Sequence, residues 1–79
     1  LILIDGRFRV ACFLYSLLFA EINTTILFDD YADRPEYFIV ENFCKPTLMA
    51  GRMAIFKAIK NYEISEICKT IAQYSVIPD

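Results

Sequence analysis

Two short apolar segments, each followed by acidic residues and separated by a stretch of helical length, constrain the fold of this 79-residue chain most strongly. The first runs from Leu1 to Ile4 and precedes an Asp-Gly pair, and the second runs from Thr24 to Phe28 and precedes an Asp-Asp pair. Continuous apolar runs of this length are typical of strands that are buried on both faces. The pattern therefore predicts a right-handed β-α-β unit with two neighbouring parallel strands.

The intervening segment, Arg7 to about Ala20, contains no glycine or proline and predicts a mostly buried helix. Its apolar run, Val10 to Ala20, is much shorter than the roughly 20 residues of a bilayer span, so we expect no membrane segment. The helical stripe expected to face the core comprises Phe8, Ala11, Cys12, Tyr15, Leu18 and Phe19, widened by Leu14 and Leu17.

Four further elements complete the expected order β-α-β-α-β-β-α. Pro35 to Phe43 predicts a helix, because proline suits the first helical turn, although its aromatic and β-branched residues also suit a strand. The segments 45–49 and 52–59 flank Ala50-Gly51 and predict an antiparallel hairpin. Glu63 to Tyr74 predicts an amphipathic helix, and Pro78 and Asp79 close the chain. The apolar stripe of that helix comprises Ile64, Ile67, Cys68, Ile71 and Ala72.

These elements define an α/β fold with a partial Rossmann-like sheet, which consists of two parallel strands plus an antiparallel hairpin. We expect one domain over residues 1–79, with residues 60–79 as a helical extension that follows a short linker at residues 60–62. The first strand starts at Leu1 with no turn or capping residue before it. We therefore expect the chain to be the C-terminal half of a truncated domain, whose uncovered strand 1–4 favours self-association.

Composition excludes several classes of function. The formal charge is −2, with 8 basic and 10 acidic residues, and the basic residues do not cluster as nucleic-acid binding requires. The chain has no histidine and three widely spaced cysteines, which argues against zinc sites and histidine-activated nucleophiles. The odd number of cysteines indicates unpaired thiols in a reducing compartment, so we expect a cytoplasmic protein.

Candidate site residues follow from the position of the predicted strands. Ligands of open α/β sheets bind beyond the carboxyl ends of parallel strands, which selects residues 5–9 and 29–34. On a helix, Arg7 and Arg9 would point in different directions, and Arg7 is favoured as the cleft residue. The alternative role for Asp5 is to cap the helix N-terminus. The expected cleft residues are Asp5, Arg7, Asp30, Tyr31 and Arg34.

The same edge offers oxygen ligands for a hard cation. Asp5 together with Asp29 or Asp30 would suit Mg²⁺, which often takes only one or two carboxylates. The alternative is ordinary capping and pairing with Arg34. The two glycines are far apart in the sequence, so they do not form a phosphate-binding loop.

Three segments carry a resemblance to a known family: LILIDGRFR, TTILFDDY and GRMAIFK. Over residues 1 to 59 their order resembles the second half of class I S-adenosylmethionine-dependent methyltransferases. The resemblance implies that residues 1–4 and 24–28 are the family's fourth and fifth strands and that residues 45–59 are its closing antiparallel pair. It places Asp5 and Asp30 near the substrate, and Asp29 where several relatives have histidine.

The resemblance also implies a function for the parent protein. It would transfer a methyl group from S-adenosylmethionine to an unidentified small-molecule acceptor, with Mg²⁺ in the metal-dependent branch of the family. Because the family's cofactor loop lies in its first three strands, this chain would form the substrate side of the cleft and be inactive alone. Two alternatives are a non-enzymatic α/β module that self-associates through strand 1–4, and half of another doubly wound family, such as a dehydrogenase or a nucleotide-sugar enzyme.

Overall fold

A computed structural model of the chain describes residues 1–76. The elements are β1 (Ile2–Ile4), α1 (Arg9–Phe19), β2 (Thr25–Phe28), a 3₁₀ helix (Pro35–Asn42), β3 (Leu48–Ala50), β4 (Met53–Lys57) and α2 (Ile64–Tyr74). This succession confirms the expected order of strands and helices, with a 3₁₀ helix in place of the second α-helix. The predicted chain end at Pro78 and Asp79 lies outside the described residues.

The four strands form one sheet in the order β1-β2-β4-β3. β1 and β2 are parallel neighbours with Leu3 opposite Leu27, as the β-α-β pattern predicts. β4 runs antiparallel to β2, with Ile55 opposite Leu27, and pairs with β3 in the expected hairpin. The hairpin turns at Gly51, whose φ of 63° is a conformation that glycine adopts without steric cost. The structure therefore has the mixed α/β sheet of a partial Rossmann-like fold.

The core lies between α1 and one face of the sheet. Alternate residues of β2 and β4 point to this face, and Ile26, Phe28 and Phe56 are fully buried there. The Phe13 ring of α1 packs against them, with its centroid 4.5 Å from Phe56 and 5.7 Å from Phe28. Aromatic side chains therefore contribute much of the buried apolar surface.

The buried stripe of α1 differs from the predicted one. The expected stripe included Tyr15 and Phe19, but these side chains are 58% and 71% exposed. Ala11, Leu14 and Leu17 of the predicted stripe are buried, together with Val10 and Phe13, which were not predicted. Because α1 is apolar on almost every side, more than one stripe satisfies the 3.6-residue period, so the period alone does not decide which stripe faces the sheet. The expectation of a mostly buried helix is wrong for its outer face.

The second predicted helix is a 3₁₀ helix. Tyr37, Val40 and Phe43 are three residues apart and all buried. A 3₁₀ helix has three residues per turn, so these side chains lie on one face. The prediction of a helix rather than a strand is confirmed, but the spacing of the buried residues follows the tighter period.

Residues 60–62 and α2 pack against α1. The Lys60 ammonium donates hydrogen bonds to the Leu17 and Leu18 carbonyl oxygens at 2.9 and 2.7 Å, and the Tyr62 hydroxyl donates to Leu17 at 3.3 Å. Within α2, Ile67 is fully buried, whereas Ile64 of the predicted stripe is 66% exposed. Lys60 and Tyr62 therefore cap α1 instead of forming a free linker. Within residues 1–76, none of the helices has the length and apolar character needed to traverse a bilayer.

Candidate functional site

The loops after β1 and β2 lie side by side at one edge of the sheet. The Asp29 amide donates a hydrogen bond to the Ile4 carbonyl oxygen at 3.1 Å, which joins the end of β2 to the end of β1. The hairpin contributes a third part, because the Arg52 carbonyl oxygen accepts bonds from the Tyr31 and Ala32 amides at 2.7 and 3.2 Å. We call this surface, formed by residues 5–9, residues 29–34 and Arg52, the carboxyl edge.

Arg9 connects the two loops of the carboxyl edge. Its Nε donates to the Gly6 carbonyl oxygen at 2.7 Å, and its Nη1 donates to the Asp29 carbonyl oxygen at 2.8 Å. Its Nη2 lies 3.3 Å from the Asp5 carboxylate, and the guanidinium lies 5.9 Å from the centre of the Tyr37 ring. The side chain is only 16% exposed, so these bonds lie in a partly desolvated site. Arg9 fixes the position of both loops.

Arg7 and Asp5 do not have the positions expected of helix residues. α1 begins at Arg9, so Arg7 lies in the preceding bend, where it is exposed. Within residues 1–76 the Arg7 side chain makes no hydrogen bond or ion pair, although its carbonyl oxygen accepts a weak bond from the Cys12 thiol at 3.8 Å. The N-cap of α1 is Phe8, and no side chain caps the helix. The alternative role of Asp5 as the N-cap is therefore wrong, and Asp5 pairs with Arg9 instead.

A second arginine holds the other side of the carboxyl edge. Arg52 lies 3.1 Å from the Asp33 carboxylate and 3.8 Å from that of Asp30. The hydrogen bond to Asp33, followed by the charge of Asp30, raises the pKa of Arg52 above its ordinary value. Arg34 pairs with Glu36 at 3.7 Å. Arg34 therefore does not make the expected pair with the strand-end aspartates, and Asp30 pairs with Arg52 instead.

Tyr31 belongs to the core. It is 2% exposed, and its hydroxyl donates a hydrogen bond to Glu41 Oε2 at 2.7 Å. Its ring lies 5.0 Å from Phe28 and 5.5 Å from Phe56. Burial and then the bond to Glu41 raise the pKa of Tyr31 well above its ordinary value. Tyr31 therefore supports the carboxyl edge from below, whereas Asp5, Arg7, Asp30 and Arg34 are at its surface.

Two residues of the carboxyl edge have left-handed backbone conformations. Phe8 has φ 57° and Asp30 has φ 59°. A bulky aromatic residue seldom adopts this conformation, which costs about 1–3 kcal/mol and is often found where a site requires a particular chain direction. At Phe8 it turns the chain so that Arg9, the first residue of α1, reaches back to both loops.

The Mg²⁺ expected at the carboxyl edge stays a prediction. Among residues 1–76, no group of three or more histidine, cysteine, aspartate or glutamate side chains could hold a metal ion. Of the carboxylates expected to bind Mg²⁺, Asp5 pairs with Arg9 and Asp30 pairs with Arg52. Neither glycine forms a tight cradle, since an added Cβ would meet no atom within 4 Å.

The described residues form two surface grooves, one of which borders the carboxyl edge at Phe8. One, of about 380 Å³, lies between α1 and α2 and is lined mainly by Phe8, Cys12, Tyr15 and Ile71. The other, of about 370 Å³, lies beside Cys44 and Lys57. The Cys44 thiol is buried, and burial raises its pKa above the ordinary value. Neither groove is lined by Asp5, Arg9, Asp29 or Asp30.

Sequence reasoning located the carboxyl edge but missed the two residues that organise it. Asp5 and Arg9 are four positions apart, a spacing that favours ion pairs. The Asp5–Arg9 pair was not predicted, because the helix was expected to begin already at Arg7. Arg52 lies 22 positions after Asp30, and no local pattern links them.

No protein-family model matches the sequence, and no curated protein matches it. Among solved structures, the crystal structure of a methyltransferase-like protein from Silicibacter pomeroyi DSS-3 is similar, with a TM-score of 0.66 and 37% sequence identity. The match covers 87% of this chain and 38% of that protein. The chain therefore has a methyltransferase-like fold over most of its length and spans less than half of the protein that it resembles.

Proposed function

We propose that the chain forms the acceptor side of the cleft of an S-adenosylmethionine-dependent methyltransferase and is inactive alone. The observation that carries this proposal is the 37% identity to a methyltransferase-like protein over 87% of the chain. The position of the carboxyl edge supports it, since ligands of α/β sheets bind beyond the carboxyl ends of parallel strands. The methyl acceptor is a small molecule that contacts the surface formed by Asp5, Arg7, Asp30 and Arg34.

The cofactor would be bound by residues outside this chain. A cofactor-binding glycine loop requires glycines that another group approaches closely. At both glycines of this chain, an added Cβ would meet no described atom within 4 Å. The sheet ends at β1, whose second edge has no partner among the described strands. Further strands added at that edge would place a cofactor site next to the ends of β1 and β2. The three free thiols fit a reducing compartment, and we assign the protein to the cytoplasm on this basis.

The proposal is tested by isothermal titration of S-adenosylmethionine and by radiolabelled methyl transfer to a panel of small-molecule acceptors. The longer protein that contains the chain is expected to bind the cofactor, and the 79-residue chain is not. Asp30→Ala is expected to lower transfer without weakening cofactor binding, whereas Glu66→Ala, on the exposed start of α2, should change neither. Cofactor binding by the chain alone, or none by the longer protein, would overturn the proposal.

A second candidate function is self-association through β1. Among residues 1–76 this strand pairs only with β2, and Leu1 and Leu3 are 87% and 57% exposed. An uncovered apolar strand with no charge or proline is a ready template for pairing with another chain. Two copies joined through β1 would form one continuous sheet.

Sedimentation equilibrium of the 79-residue chain tests this candidate. The unmodified chain should self-associate at micromolar concentration, and Leu3→Lys should shift it to monomer. Leu48→Lys is the matched control, because Leu48 is 61% exposed on the opposite edge strand β3. A cooperatively folded monomer without any substitution would contradict self-association and the expectation that β1 requires a partner.

A further inference from the structure

We infer that Arg9 is a positioning residue of the carboxyl edge and that the group it positions is the Asp29 carboxylate, which binds the methyl acceptor. This assignment rests on the proposed function, because it places Asp29 on the acceptor side of the same cleft. It differs from the sequence expectation, which favoured Arg7 over Arg9 and included Asp30, but not Asp29, among the cleft residues.

The acceptors of the Arg9 hydrogen bonds indicate a positioning role. Two of them are backbone carbonyl oxygens, of Gly6 and Asp29, and they belong to different loops. An arginine that bound only carboxylates would adjust local charge, but bonds to two main chains fix where those chains lie. The planar guanidinium makes both bonds at once, which the single ammonium of lysine cannot do with the same geometry.

Asp29 has a fixed backbone, and its carboxylate has no hydrogen-bond or ion-pair partner among the described residues. Its amide donates to Ile4 at 3.1 Å and its carbonyl oxygen accepts from Arg9 at 2.8 Å, so both of its peptide groups are held. Within residues 1–76 its carboxylate makes no hydrogen bond or ion pair, although its charge acts on Arg52. The other carboxylates of the carboxyl edge, those of Asp5, Asp30 and Asp33, are each paired with an arginine.

This combination defines the ligand chemistry. A carboxylate accepts hydrogen bonds and donates none, so Asp29 suits an acceptor molecule that carries an O–H or N–H group. Because its backbone is held by β1 and by Arg9, the carboxylate is presented at the strand ends without an ordering cost when the ligand binds. Asp29 would thus orient the oxygen or nitrogen that receives the methyl group.

Amide hydrogen exchange of the full chain, followed by NMR, tests the positioning role without reference to activity. In Arg9→Lys, exchange at the Asp29 and Tyr31 amides should accelerate by about tenfold more than exchange at the Ile26 amide in the middle of β2. The matched control is Arg7→Lys, which should accelerate none of the three. Equal acceleration at all three amides would show that Arg9 supports only global stability, and no acceleration at Asp29 would show that it does not hold the loop; either result overturns the inference.

Kinetics of the longer protein test the ligand role. Asp29→Asn and Arg9→Lys should each raise KM for the acceptor by about tenfold to a hundredfold and leave KM for S-adenosylmethionine unchanged. Lys69→Arg, on the exposed side of α2, should change neither constant. An unchanged acceptor KM in Asp29→Asn overturns the role of Asp29. If the exchange result holds but the longer protein neither binds S-adenosylmethionine nor transfers methyl groups, the proposed function fails while the positioning role of Arg9 stands.

Discussion

The buried hydroxyl of Tyr31 provides a quantitative test of the structure. In Tyr31→Phe the ring keeps its contacts with Phe28 and Phe56, and the hydrogen bond to the Glu41 carboxylate at 2.7 Å is lost. A hydrogen bond to a charged group contributes about 1.5–3 kcal/mol. The free energy of unfolding at pH 7 should therefore fall by that amount.

The same bond predicts how this loss depends on pH. Burial and Glu41 raise the pKa of Tyr31 above its ordinary value of 10.0, so the folded chain holds the phenolic proton more tightly than the unfolded chain does. The resulting stabilisation is fully present below pH 10 and declines as the pH rises above it, by about 1.4 kcal/mol for each pH unit. Between pH 10 and 11 the difference in stability between the wild type and Tyr31→Phe should therefore shrink by about 1 kcal/mol.

Urea denaturation followed by circular dichroism measures both effects, at protein concentrations where sedimentation shows a single species. The control is Tyr15→Phe, because Tyr15 is 58% exposed and its hydroxyl makes no hydrogen bond within residues 1–76. It should change the stability at pH 7 by less than about 0.5 kcal/mol. A Tyr31→Phe variant as stable as the wild type at pH 7, or a difference that stays constant up to pH 11, would refute the buried Tyr31–Glu41 pair.

Three further perturbations test the packing. Lys60→Met should lower the free energy of unfolding by about 1 kcal/mol, because it removes both hydrogen bonds to the last carbonyl oxygens of α1. In the same urea titration, Lys69→Met on the exposed side of α2 should have little effect. Phe56→Ala should cost about 3–5 kcal/mol in that titration, a large part of the stability of a small domain, and Phe19→Ala, at a position 71% exposed, should cost under about 1 kcal/mol. Cys44 is 3% exposed, so a thiol reagent should modify it only on unfolding, whereas the two exposed thiols should react in the folded chain; rapid reaction of all three would contradict its burial.

The sequence predicts the fold well where one physical signal dominates. Apolar runs ended by aspartate identify β1 and β2, and the glycine turn identifies the hairpin, because strand burial and turn chemistry are local properties. The buried face of α1 was predicted only in part, since Tyr15 and Phe19 match the helical period as well as Val10 and Phe13 do. Only the shape of the sheet surface decides which stripe packs inward.

The candidate site was predicted at the level of loops, not of side chains. The rule that ligands bind at strand carboxyl ends identifies the two loops around Asp5 and Asp29. The side-chain partners depend on where α1 begins and on how the hairpin folds back. Because Phe8 has a left-handed backbone, Arg9 and not Arg7 reaches the loops, and Arg52 comes from a distant turn. Neither effect is encoded in a local pattern.

The coding sequence upstream of Leu1 tests most directly the proposal that this chain is the acceptor-side half of a methyltransferase domain. Sequencing the source transcript in the 5′ direction should reveal, in frame, three further strand-helix units, the first of which ends in a glycine-rich loop. An in-frame stop codon or an unrelated domain immediately before Leu1 would contradict the claim and favour self-association through β1.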